Sequence, residues 1–187
     1  MRAKSLLLLI LLLVGCERED KRLLAKLEQK LQPVRTMTRG YHILTFDSLT
    51  DFNWDRMYPV IGTSYGGNTD NLISHIIGFK WSGPDIPIGS KRLLFVHQHK
   101  VVAYIDCSQS NTVDGRVALP IELFRCSDEQ VGYSRRQARF AVFRNCAGGL
   151  PGFFYMVPLD CLEDFRVSIK QGCTDSTLKI LAAPRPY

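Results

Sequence analysis

Between residues 17 and 106 the chain has no cysteine, and nowhere in its 187 residues do two cysteines stand at Cys-x-x-Cys spacing. Neither a dithiol redox motif nor a zinc knuckle can therefore be read from it. The longest apolar run, residues 6–14, holds nine residues, well short of the ~20 that a helix needs to cross a bilayer. Histidine is scarce at four, tryptophan at two, and there is no internal repeat or low-complexity segment. Excess charge of one sign is also small. The 24 basic and 18 acidic residues leave +6, scattered along the chain, which does not argue for nucleic acid as a partner.

What is present is concentrated at the start. Arg2 and Lys4 precede the apolar run, which ends in Leu13-Val14-Gly15-Cys16. A basic start, a short apolar segment and a small residue before the cut fit an export signal. A peptidase cleft tolerates little bulk at Gly15, and the Cys16 thiolate can accept a diacylglycerol through a thioether. The segment resembles a bacterial lipoprotein signal, which implies cleavage before Cys16 and lipid on its sulfur. An ordinary secretory signal is the alternative. The charged residues 17–22 leave no better small-x-small site downstream.

If Cys16 carries two or three acyl chains, the mature protein stays on its membrane, because each buried methylene contributes ~0.8 kcal/mol. The expected location is the cell envelope, facing the periplasm or exterior, with membrane lipid as a partner through acylated Cys16. In lipoproteins of Gram-negative cells, Asp after the lipidated Cys favours the inner membrane. Glu17 in that place tilts the expectation toward the outer membrane where the host has one.

Removing residues 1–15 as signal leaves enough chain for one ordinary hydrophobic core. We read 16–39 as a lipid-anchored helical stem and 40–187 as one globular α+β domain, mostly antiparallel sheet with one or two helices. Cys107, Cys126, Cys146, Cys161 and Cys173 would allow two disulfides with one thiol over in an oxidising compartment. Their connectivity is open, and a Cys161–Cys173 pair would close a short loop.

Leu23, Leu24, Leu27 and Leu31 recur at helical spacing in residues 19–32, with Pro33 as the expected stop. That leucine stripe has two destinations, the membrane or the domain. Residues 41–46 and 54–61 read as strands, the second ended by Gly62 and the Gly66-Gly67 turn. A helix is expected over 68–78, with Gly78 as terminator. Residues 93–96 and 101–105 read as a hairpin around His97-Gln98-His99-Lys100. Further strands are expected at 139–143, 153–157, 165–169 and 178–182.

Phe52-Asn53-Trp54-Asp55-Arg56-Met57-Tyr58, then Ile76-Ile77-Gly78-Phe79-Lys80-Trp81, the 93–102 hairpin, Tyr133-Ser134 and Ala138-Arg139-Phe140 resemble a group of small uncharacterised bacterial lipoproteins. These share a Phe-x-Trp-Asp-Lys-hydrophobic-Tyr segment, a helix ending in Leu-Gly-Phe and a hairpin with an Asp-Gly turn. Here Pro59 follows Tyr58, and His-Gln-His-Lys replaces the Asp-Gly turn. The resemblance implies an envelope location and one α+β domain, and it brings no activity.

For chemistry, each candidate has a plain counterpart. His97 and His99 stand at metal-ligand spacing on a strand but fall in the expected turn, and His75 is isolated on a helix; no metal and no cofactor is expected. Ser64 and Ser134 lack the frame of an activated nucleophile. Asp47 and Asp55 would suit a glycan hydrolase only at ~5–9.5 Å; otherwise Asp55 pairs with a cation or caps a turn. Asp55, Ser64, His75, His97 and His99 are not expected to converge. Trp54, Asp55, Tyr58, Tyr65 and Trp81 form the candidate binding set, since exposed aromatics grip glycans, peptides or proteins, although core packing is the prior expectation for such rings. Three functions follow: a non-catalytic interaction or assembly protein with an envelope protein partner, a small-ligand or wall-fragment binding module, and an envelope hydrolase.

Overall fold

The computed structural model describes residues 19–37, 40–62, 69–108, 112–113, 116–117, 119–127, 131–144 and 154–165. They form a single α+β domain in which two four-stranded, mostly antiparallel sheets are each buried on both faces.

The leucine stripe forms helix α1 (Lys21–Thr36) and turns into the domain. Leu23, Leu27, Leu31 and Val34 lie in the main core. Burial of each leucine contributes roughly 1.5–3 kcal/mol. Asp20 caps the helix, its carboxylate accepting from the backbone N–H of Arg22 at 3.0 Å and Leu23 at 2.9 Å. Pro33 does not stop α1, which continues to Thr36. A proline in the last turn removes one hydrogen bond, and burial of Val34 offsets that loss.

The first sheet has the order β4-β3-β2-β8, with β2 at Arg56–Ile61, β3 at Ser90–His97, β4 at Lys100–Ser108 and β8 at Tyr133–Ser134. Strand β3 is buried along nearly its whole length. Leu93 and Phe95 face the main core, while Leu94 and Val96 face a second core roofed by helix α2 (Thr69–Ile77). Pro59 is accommodated in β2 because β8 pairs only with Arg56 and Met57, so no ladder bond is lost beside it.

The second sheet has the order β1-β9-β10-β7, with β1 at His42–Thr45, β7 at Ile121–Leu123, β9 at Arg139–Arg144 and β10 at Phe154–Pro158; β7 and β10 run parallel. Phe140, Val142, Phe154 and Met156 fill the main core, and Ala141, Phe143 and Val157 a third one behind it. This is the period-2 alternation of strands. A small hairpin joins β5 (Thr112–Val113) and β6 (Arg116–Val117). Phe165 belongs to a helical turn rather than to the expected strand 165–169; the rest of that strand, strand 178–182 and the Gly66-Gly67 turn lie outside the described residues.

Two charged pairs tie the layers together. Lys91 on β3, its side chain only 5 % exposed, pairs with Glu122 on β7 and so links the sheets. Arg92, 1 % exposed, points the other way. Its Nε and Nη2 donate to Asp106 at 2.7 and 2.8 Å, Nη2 donates also to Asp85 O at 3.1 Å, and Nη1 donates to Pro84 O. The guanidinium lies 4.2 Å from the Tyr104 ring centroid. Loop 82–89 is thereby pinned to the sheet.

Candidate functional site

At one end of the first sheet, the register of β2 against β3 and β8 sets Asp55 beside His97 and Arg135, one residue beyond the last paired row. His97 Nδ1 lies 3.1 Å from Asp55 Oδ2, and the same oxygen accepts the Gln98 N–H at 2.8 Å. The Gln98 N–H foremost, and His97 after it, hold the Asp55 carboxyl below its ordinary 3.8. An ionised Asp55 makes Nδ1–H the donor.

Of the candidates expected not to converge, Asp55 and His97 are in contact, and Asp55 supports a turn, one of the two plain roles expected of it. Gln98 and His99 occupy the two central positions of the β3–β4 turn with φ of 48° and 60°. That turn matches the right-handed twist of the strands but favours Asn-Gly. Two side-chain-bearing residues in the left-handed region cost roughly 1–2 kcal/mol each. The hydrogen bond from Gln98 to Asp55 offsets part of this, so the carboxylate serves the turn first.

Nearby groups have other partners. Asp47 holds Arg135 through its Nε at 2.7 Å, and the Arg135 guanidinium lies 5.6 Å from the Trp54 ring centroid. Ser134 Oγ donates to Gln137 Oε1 at 2.9 Å. His99 turns to Phe79, with ring centroids 6.3 Å apart, and His75 stands on α2. His97 and His99 thus diverge, and among the described residues no three His, Cys, Asp or Glu group to hold a metal. Ser64 lies outside the described residues.

The aromatic set divides between two cores. Trp54 is 1 % exposed in the main core, its Nε1 donating to Thr50 Oγ1 at 2.8 Å and its ring edge-on to Phe95. Trp81 is 2 % exposed in the second core, edge-on to Tyr104, with Nε1 finding no partner among the described residues. Tyr58 is half-buried against that second core, and Tyr65 lies outside the described residues. As binding anchors, Trp54 and Trp81 are corrected to core residues. Trp54 and Trp81 serve opposite faces of one sheet.

A groove that sequence reasoning missed opens beside a disulfide. Cys126 and Cys161 are bonded, with Cα atoms 5.4 Å apart. This replaces the short Cys161–Cys173 loop, and Cys146 and Cys173 lie outside the described residues. The groove, of about 130 Å³, is lined by the bridge with Phe124, Arg125, Val157, Asp164 and Phe165. Drug-sized ligands occupy ~300–1,000 Å³, so this groove admits only a small group. Cys107 is a free, buried thiol. Comparison of the chain with protein-family models, with curated proteins and with solved structures finds no match.

Proposed function

We propose that the chain is exported, cut before Cys16, lipidated there, and held on a bacterial membrane as a non-catalytic interaction or assembly protein of the cell envelope. The observation that carries this is Leu13-Val14-Gly15-Cys16 behind a basic start and a nine-residue apolar run. A disulfide between Cys126 and Cys161 fits an oxidising compartment. The likeness of residues 52–58 to small envelope lipoproteins belongs to the same reading, as do an outer-membrane site and an envelope protein partner.

The test is metabolic labelling of growing cells with an alkyne-bearing palmitate analogue. Label on the full chain, lost in Cys16→Ser, is the expected result. An unlabelled protein, or one left inside the cell with its leader attached, overturns the proposal. Crosslinking in intact cells should then capture a specific envelope protein.

A second reading, an envelope hydrolase, draws on the Asp55–His97 contact. It is weaker because Asp55, 57 % exposed, is already engaged by the Gln98 N–H, and the neighbouring Ser134 hydroxyl is committed to Gln137. Turnover of wall or lipid substrates lost in His97→Ala would reverse that order. The small-ligand reading is weaker with the burial of Trp54 and Trp81 and keeps only the half-buried Tyr58 and Tyr65, which lies outside the described residues, of its first aromatic set.

A further inference from the structure

Only two residues, Glu17 and Arg18, stand between Cys16 and Glu19, and Glu19 is already part of the fold. It forms a parallel bridge with Tyr104, and the Asp20 N–H donates to Tyr104 O at 2.8 Å. Asp20 caps α1, whose apolar face is buried in the main core. The chain is therefore held to the domain at Glu19, and α1 is packed in the core rather than serving as a stem that holds the domain away from its anchor.

The three Cα–Cα steps from Cys16 to Glu19 reach at most ~11 Å even when fully extended. With lipid on Cys16, that is less than the width of the domain, so the surface where Glu19 enters has to meet the lipid head groups. We infer that the domain lies directly on the membrane through the β4 edge of the first sheet and the first turn of α1. This rests on the lipidation proposed above. The surface includes Tyr104's edge of β4, the part-exposed Val102, and the exposed Lys21 and Arg22. Lys21 and Arg22 beside Glu19 and Asp20 present both signs to a head-group layer, which is itself zwitterionic or anionic. The same arrangement turns the β4 edge beyond its bridge to Glu19, a template for unwanted strand pairing, toward lipid. The opposite edge, β8, faces away.

The test uses the full precursor, processed in bacterial cells, purified and placed in nanodiscs whose lipids carry a nitroxide on the head group. A small dye is attached through p-azidophenylalanine at position 102, on the β4 edge, or at position 131, beside β8. Three strand spacings of ~4.8 Å separate the two edges, and quenching at 102 is expected to exceed that at 131 by about threefold. Twenty Gly/Ser residues inserted between Arg18 and Glu19, a tether of ~25 Å, should equalise the two probes. Intact mass is read on the same samples. A lipid-bearing protein with equal quenching at both probes overturns the docking face and leaves the anchor standing. A protein without the lipid mass overturns the anchor, and the docking face with it.

Discussion

A single carboxylate oxygen of Asp55 holds both the His97 ring at 3.1 Å and the Gln98 backbone N–H at 2.8 Å, across 42 and 43 residues of sequence. The turn between β3 and β4 is thus secured by the residue that precedes strand β2. Asp55→Ala is expected to lower the urea midpoint, and Asp55→Asn, which keeps an acceptor but no charge, to fall between it and the native chain. Gln98→Asn with His99→Gly supplies the residues the turn prefers and should recover roughly 1 kcal/mol in the alanine background. Equal midpoints for Asp55→Ala and the native protein would mean the turn needs no outside support. The acid side has a definite sign. Because the folded carboxyl ionises below 3.8, its contribution is complete above that value and is lost as pH falls through the lower, folded one. The native chain should therefore lose stability more steeply below about pH 4 than Asp55→Ala does.

His42 gives a second pH dependence, in a different window. It sits on β1, partly buried, with Nδ1 a buried atom lacking a partner among the described residues. Burial first, and the nearby Lys30 second, lower its pKa from 6.5. Between the folded value and 6.5 the unfolded chain binds more protons than the folded one, so stability rises with pH across that interval. The contribution is complete above 6.5 and lost as pH falls below it. Denaturation midpoints measured from pH 7.5 to 5 should decline in the native protein and decline less in His42→Gln. A ring that titrates by NMR at or above 6.5 would remove the argument.

The sequence makes some of this legible and hides the rest for identifiable reasons. Helix α1 and the β3–β4 hairpin are visible because their signals are local: Leu23, Leu27 and Leu31 keep a helical period, and two apolar runs flank a four-residue polar stretch. Strands β7 and β8 are invisible because Ile121–Leu123 and Tyr133–Ser134 are too short to show a period and exist through partners far along the chain. Pro33 misleads because a local rule yields to burial of Val34. The Asp55–His97 contact depends on strand register, which composition does not carry. A signal was nevertheless present: a two-residue turn without glycine implies outside support. Trp54 and Trp81 fail as binding anchors because nearness in sequence at a strand says nothing about which face each ring takes. Trp54 and Trp81 end in different cores.

Arg92 and Asp106 should behave as a unit. A guanidinium 1 % exposed, with hydrogen bonds to one carboxylate and two carbonyls, is costly to leave without its counterion. Asp106→Asn keeps the size and removes the charge, and a loss of about 3–5 kcal/mol is expected. Arg92→Met with Asp106→Leu removes both charges and should cost well under the sum of the two single changes. Chemical denaturation of the four proteins in the cycle measures the coupling. Additive losses would show that the pair is solvated and that loop 82–89 is held by its apolar contacts alone.

The thiols separate a bridge that can be opened from a sulfur that cannot be reached. Cys126 and Cys161 are 35 residues apart and close the chain between the segment after β7 and the turn after β10; a loop of that length corresponds to roughly 4 kcal/mol of unfolded-chain entropy. Cys126→Ser with Cys161→Ser should lower stability by about that amount, and a dithiol reductant without denaturant should produce the same drop, because Cys126 is exposed. Cys107 is the contrary case. It faces the main core from β4, and burial pushes its thiol from 9.0 up to about 12. At pH 8 this lowers the thiolate fraction by ~10³ before access is counted. Iodoacetamide is expected to leave Cys107 unmodified in the native protein over times that exhaust an exposed thiol, and to modify it fully in urea. Should native Cys107 react as fast as a free cysteine, β4 would not be packed against the main core. The edge that receives Glu19 would then be a loose strand rather than a fixed one, and the membrane-facing surface drawn from it would fail together with the burial.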